Sequence, residues 1–352
     1  MHELNISVQR VQNDIETLAT FVDKSQPGWT RRVFTPPYLQ ARKWLQEQME
    51  ACGLEVEIDA ASNLIGRIPG KRPELPPIMI GSHIDSVPGG GMFDGTIGVL
   101  AGLEIARVFK EAKIQLEHTL EIVDFTGEEA SDFGISTIGS RGMVGNLTNE
   151  NLQLRDTSGM FLKEGIALAG GNPEKILTSA RKKGDIALYL ELHIEQGPIL
   201  EQTNNKLGVV TGIVGIRRYR VTVTGKPGHA GTTPMNMRYD ALAGAVQIIS
   251  GLESIAREKY EHPVVGTVGK LSLKPNAPNV IPGEVVFEFE VRSVDSAILD
   301  EMISRIRRLS EEVAKERGLD VEFEFISTAK PIPVAPEIQK GIAEVCEQIA
   351  NT

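Results

Sequence analysis

The chain has 352 residues, of which 41% are hydrophobic and 24% charged, a balance that suits a folded globular protein of about two domains and excludes a fibre or a disordered chain. With 37 Lys and Arg against 47 Asp and Glu, the net charge of −10 disfavours nonspecific attraction to nucleic acid or an anionic membrane. No apolar run approaches the ~18 residues of a membrane helix. The start, MHELNISVQRVQND, lacks a signal-peptide pattern. Two cysteines, Cys52 and Cys346, make no disulfide framework, so a reducing, cytoplasmic setting is expected.

In chain order, apolar steps of three and four at Val8, Val11, Ile15, Leu18 and Val22 predict an amphipathic helix over residues 5–22. A second helix follows Pro36-Pro37 and stops at Gly53. Short strands are expected at 54–58, 63–68 and 76–82, then a helix at 96–110 and a strand at 119–125. Strands alternating with helices indicate an α/β layer with a partly parallel sheet. Another strand is expected at 186–193. From about residue 212 the rhythm changes: strand 216–225, helix 236–258, strands 264–273 and 284–293, helix 296–316 and strand 321–326. That βαββαβ order is the ferredoxin-like arrangement. It predicts a second domain, 212–328, inserted into the first, with a helix at 336–350 returning to the first domain.

The chemistry-bearing residues gather at strand ends. In GSHIDSVPGGGMFDG (81–95), His83 and Asp85 lie two apart just past a strand, and Asp94 closes a glycine-rich loop before a helix. A carboxylate at that spacing can bond the far nitrogen of a metal-ligating imidazole, or orient it through the backbone. In DFTGEEA (124–130), Glu128 and Glu129 are adjacent acids after an apolar strand. Two adjacent turn residues point differently, so one can ligate a metal while the other holds and deprotonates a water. In ELHIEQGP (191–198), His193 ends a further strand, at the edge where α/β sheets hold ligands. A lone His at a strand end, or an acid pair favoured by a helix dipole, is an ordinary structural feature. The coincidence of three strand ends carrying His, Glu-Glu and His, with an Asp on the loop between, favours a metal site. KPGHAGTTP (226–234) sets His229 in a glycine-flanked loop, and spacing alone does not single out Asn279 or Arg292. His2, His118 and His262 lack comparable context, and no serine elbow, P-loop or dinucleotide fingerprint occurs.

With these motifs, GSHIDSVPGGGMFDGTIGVLAG, TGEEASDFG, ELHIEQGPILE and GKPGHAGTTPM, the chain resembles the metal-dependent amidohydrolases of peptidase family M20, almost end to end. Within them it is similar to the N-carbamoyl-L-amino-acid hydrolase and allantoate amidohydrolase branch. His193, where ordinary M20 peptidases use an acid, and the GGGMFDG loop speak against a peptidase.

The resemblance implies a zinc-peptidase-like catalytic domain with a mixed sheet (1–211), an inserted ferredoxin-like lid and dimerisation domain (212–328), and a second, incomplete catalytic part (329–352). It implies two divalent ions, of Zn, Mn, Co or Ni, with His83 and His193 on one, Asp94 bridging, and Glu129 on the other. Glu128 would be the general base and Asp85 the partner of His83. Gln196, His229, Asn279 and Arg292 match substrate-binding positions. Family members continue for several tens of residues beyond the position of Asn351-Thr352, where a last metal-binding His lies. The expectation is therefore a chain that stops short, with its second metal site incomplete.

The implied reaction is hydrolysis of N-carbamoyl-L-amino acids to the L-amino acid, carbon dioxide and ammonia, by a cytoplasmic homodimer acting on a small ureido acid. Two alternatives stand beside it: an allantoate amidohydrolase, and an inactive relative that only dimerises.

Overall fold

A computed structural model describes residues 4–258 and 260–350, so His2, Asn351 and Thr352 lie outside the described residues. The chain divides into two compact units, residues 1–199 and 200–352. No described helix is long and apolar enough to cross a membrane.

The first unit begins with α1 (Val8–Leu18), capped by the Ser7 hydroxyl, which accepts from the Arg10 N–H. It is shorter than the expected 5–22, because the chain leaves the helix in hydrogen-bonded turns at Thr20 and Phe21. Helix α2 (Pro36–Ala51) has proline at its first position, where the missing N–H costs nothing, and Gly53 beyond its end at φ +80°. Then come β1 (Glu55–Ile58), β2 (Leu64–Ile68), β3 (Ile78–Ser82), α3 (Thr96–Glu111), β4 (Leu120–Asp124) and β5 (Leu188–Leu190). The sheet order is β1-β2-β4-β3-β5. β1, β2 and β4 pair antiparallel, whereas β4, β3 and β5 are parallel, so the sheet is mixed. The expected strand over 186–193 contracts to three residues, because pairing with β3 ends at Leu190. The core gathers Tyr38, Leu45 and Met49 of α2, Leu100 and Leu103 of α3, and Leu64 and Ile122 of the sheet.

The second unit contains β6 (Gly215–Thr224), α4 (Ala241–Ala256), β7 (Val264–Lys274), β8 (Glu284–Ser293), α5 (Ser296–Arg317), β9 (Asp320–Ala329) and α6 (Pro336–Ala350). The sheet order β9-β6-β8-β7, all antiparallel, is the ferredoxin-like arrangement. Helix α4 starts later than the expected 236, because the Asp240 carboxylate caps it by accepting from the N–H groups of Leu242 and Ala243. β8 alternates strictly: Val285, Phe287, Phe289 and Val291 are buried against α4 and α5, while Glu288, Glu290 and Arg292 face the other way. Residues 332–333 pair with 212–213, and α6 follows in the same unit.

Candidate metal centre

The three parallel strands of the first unit end side by side, and each delivers one group. His83 follows β3, the Glu128-Glu129 turn follows β4, and His193 follows β5 by three residues. Asp94 comes from the loop that enters α3. The last β3–β4 pair is Ser82 with Asp124, which puts His83 and the Glu128-Glu129 turn at one sheet edge.

His83, Asp94 and His193 each offer a ligand atom, and the three atoms lie within 4.8 Å of one another. His193 Nε2 is 3.4 Å from Asp94 Oδ1, and the two imidazole centroids are 5.9 Å apart. Each ring presents its Nδ1 to a backbone carbonyl, His83 to Asp85 O at 3.0 Å and His193 to Ile194 O at 2.8 Å. A carbonyl only accepts, so Nδ1 carries the proton in both rings and the Nε2 lone pairs are free for a cation. The space before His83 Nε2 is kept open by Gly95, where a Cβ would collide with the ring. Two imidazoles and a carboxylate converging on an open point fit a divalent ion, and the donor set alone does not choose among Zn, Mn, Co and Ni.

Asp85 resolves one expectation. Its carboxylate lies 3.7 Å from His83 Nδ1, whereas its own backbone carbonyl holds that nitrogen. The carboxylate instead accepts the N–H groups of Glu128 at 3.0 Å and Glu129 at 3.1 Å. Asp85 thus ties the end of β3 to the acidic turn. Beneath it, Asp124 accepts the Ile84 N–H at 3.0 Å, and the buried Arg31 donates to Ile84 O at 2.6 Å. Ile84, the residue after His83, is therefore held at both its N–H and its carbonyl.

Glu128 Oε2 stands 3.8 Å from His83 Nε2. Burial pushes the Glu128 carboxyl above the ordinary glutamate value, with His83 opposing and the charges of Asp85 and Glu191 adding to the rise. Glu129 is also raised, by burial and then, against His83, by Asp94. Burial works against a charged His83, but Asp85 and Glu128 outweigh it and raise that ring's pKa. Glu129 lies outside the His-Asp-His trio. Gln196, at φ +56°, donates its side-chain amide to Asp94 Oδ1 at 2.8 Å.

The other three expected positions lie in the second unit. His229 sits on a two-residue strand, Gly228–His229, opposite Val280–Ile281, and Ala230 N donates to Asn279 O at 3.0 Å. The pairing brings His229 beside Asn279. His229 Nδ1 accepts the Gly231 N–H at 3.0 Å, so the remaining proton is on Nε2. Arg292 donates to Glu290 Oε1 at 2.7 Å, and Arg218 binds the other oxygen of the same carboxylate. His118 is occupied by Pro76 O at 2.7 Å. Sequence reasoning passed over Gly95, Glu191, Tyr189 and Arg31. For Glu191 a signal existed: it precedes His193 by two, so both share one face of an extended chain.

Comparison with known proteins agrees with this layout. Peptidase family M28 matches residues 63–207, and the peptidase dimerisation domain matches residues 211–318. An N-carbamoyl-L-amino-acid amidohydrolase of Pseudomonas sp. (strain NS671) is 38% identical over 351 residues, 99% of this chain and 85% of that protein. The crystal structure of a hydantoinase/carbamoylase family amidase from Burkholderia multivorans superposes with a TM-score of 0.90 at 32% identity, covering 99% of this chain and 84% of that one. This chain belongs to the hydantoinase/carbamoylase family of amidases. An allantoate amidohydrolase of Bacillus subtilis (strain 168) is 33% identical, with 100% of this chain and 87% of that protein covered. The family assignment makes a divalent-metal amidohydrolase of the chain, and among the described residues the His-Asp-His trio could hold the metal.

Proposed function

We propose that the chain hydrolyses the carbamoyl C–N bond of N-carbamoyl-L-amino acids, releasing the L-amino acid, carbon dioxide and ammonia. The observation that carries the reading is that His83, Asp94 and His193 each offer a ligand atom within 4.8 Å of the others, with Glu128 3.8 Å from His83. A ureido carbonyl is resonance-stabilised, so its hydrolysis needs a strong nucleophile and polarisation together. A divalent ion held by His83, Asp94 and His193 supplies both when bound, by acidifying water and withdrawing charge from the carbonyl. Asp94 and Glu129 would be the residues to hold a second ion.

Glu128 takes the water proton and returns it to the leaving nitrogen, the work of a half-buried carboxylate whose pKa burial raises above the ordinary glutamate value. Asp85 holds the backbone of that base in place. His229, protonated at Nε2, suits donation to the developing oxyanion. Arg292 suits a two-pronged grip on the substrate carboxylate, with Asn279 and Gln196 as further polar contacts. Residues 212–328 would serve as lid and dimerisation domain of a homodimer, with 1–211 and 329–352 as the catalytic parts. Free Cys52 and Cys346 suit a reducing cytoplasm.

The test is ammonia release by the full chain with added Mn2+ or Co2+, on N-carbamoyl-L-methionine and on allantoate. Turnover of the carbamoyl amino acid with free methionine as co-product is expected. Preference for allantoate would favour the second reading, which the Bacillus relative supports. No turnover of either by metal-loaded protein would overturn both.

A further inference from the structure

We propose that Glu191, with Tyr189 and Ser82, forms a positioning cluster that sets the separation of the imidazoles of His83 and His193. The inference rests on the reading of those two histidines as ligands of one ion.

Backbone pairing between β3 and β5 joins Ile78, Met79 and Ile80 to Leu188, Tyr189 and Leu190 and ends there. His83 and His193 each lie three residues beyond that last pair. β3 stays paired with β4 as far as Ser82, but over this gap the chain after β5 has no ladder partner on β3, and the β3–β5 ladder by itself does not fix how far apart the two rings stand. Side chains bridge this gap. One oxygen of Glu191 accepts from the Ser82 hydroxyl, next to His83, and the other accepts from the Tyr189 hydroxyl at 2.7 Å. Tyr189 OH also lies 3.2 Å from Gly81 O, across on β3. The Tyr189 ring is itself held edge-on against Phe125 at 5.8 Å. A carboxylate with one hydroxyl donor from each strand is thus a cross-strand clasp placed where the backbone ladder stops.

The same segment passes α3 at Gly98, where a Cβ would collide with Leu192 O and Ser82 Cβ. The chain from Glu191 to His193 is therefore held by the clasp on one side and by a close helix on the other. Both Glu191 oxygens are engaged by hydroxyl donors, which argues for holding rather than ligating. An ion that meets ligands already at their spacing does not pay the ordering cost of collecting them.

The test is Co2+ titration of the full chain, followed by visible absorption and by competition with a chromophoric chelator. Wild type, E191A, E191Q and Y189F are compared, with H193A as reference. E191A and Y189F are expected to weaken Co2+ binding about tenfold, the low end for residues that orient ligands. E191Q keeps a carbonyl for one hydroxyl and an amide that can donate to the other, so it is expected to recover most of the affinity. Metal-free E191Q and Y189F should melt within a few degrees of wild type. Affinities within twofold of wild type for E191A and Y189F would overturn the proposal. E191Q as weak as E191A would also overturn it, because the charge and not the clasp would then matter. Should E191A fail to fold, Y189F, which loses only a hydroxyl, decides the question. H193A binding Co2+ as tightly as wild type would instead remove the ligand reading beneath the proposal.

Discussion

Gly95 stands at φ +63° immediately before α3, in the left-handed region that glycine enters without steric cost. Its missing side chain also leaves open the face of the His83 ring. Gly95→Ala therefore meets two penalties, about 1–3 kcal/mol of backbone strain at φ +63°, ψ −42° and a methyl group against His83 Nε2. The expected result is a loss of Co2+ affinity well beyond tenfold with a modest drop in melting temperature. Unchanged affinity in a titration would show that the ion does not approach His83 Nε2. Glu128 makes the opposite case, since it lies outside the trio of ligand atoms. Glu128→Gln is expected to keep metal binding and to lower kcat by ~10² or more, the usual scale for a lost general base. Steady-state kinetics on metal-saturated protein check it, and full activity would remove Glu128 from the role.

At the scale of elements, β8 shows how one strand divides its labour. Its inward face, with Phe287 and Phe289, fills the second core, where truncation of either to alanine would cost ~3–5 kcal/mol. Its outward face pairs with β6 in register, Glu288 opposite Arg220 and Glu290 opposite Arg218, so opposite charges meet directly across the strands. Burial alone would raise the Glu290 carboxyl, but Arg218 and Arg292 outweigh it and hold the group below the ordinary glutamate value of 4.5. A lowered folded-state pKa means stability that is present above about pH 4.5 and is lost as the pH falls through the depressed value. Glu290→Gln should therefore flatten the acid limb of the stability curve below pH 4.5, and urea unfolding at pH 3 to 6 measures it. An acid limb identical to wild type would show the pairs to be neutral. The same variant frees Arg292 from its partner, which an assay of KM for carboxylate substrates reads separately.

For the whole molecule, the cores of the two units share no residue: the first unit's two clusters draw on residues from Ile15 to Ile176, the second unit's cluster on Val221 to Leu319. The ligand trio belongs to the first unit alone. A ligand that binds only the folded state stabilises by about 2.7 kcal/mol at a hundred times its Kd. Calorimetry should then show two transitions, with Co2+ raising one of them and leaving the other in place. A single transition raised as a whole would mean that the units unfold as one cooperative block.

Period and punctuation in the sequence were enough for most elements: the βαββαβ order, the proline start of α2 and the strands before each motif follow from local preference. The clustering of His83, Glu128-Glu129 and His193 was legible because parallel strands place their ends at one edge. What local reasoning could not reach depends on which atoms meet across the chain. Asp85 bonding two backbone N–H groups rather than the imidazole, Arg292 held by Glu290, and Glu191 clasping Ser82 and Tyr189 all join residues by register and packing. The sequence by itself determined the kinds of donor and the strand ends that carry them. Only the tertiary structure decided which partner each donor takes, because a hydrogen bond is settled by distance and direction within a few tenths of an ångström, and spacing along a chain does not specify these.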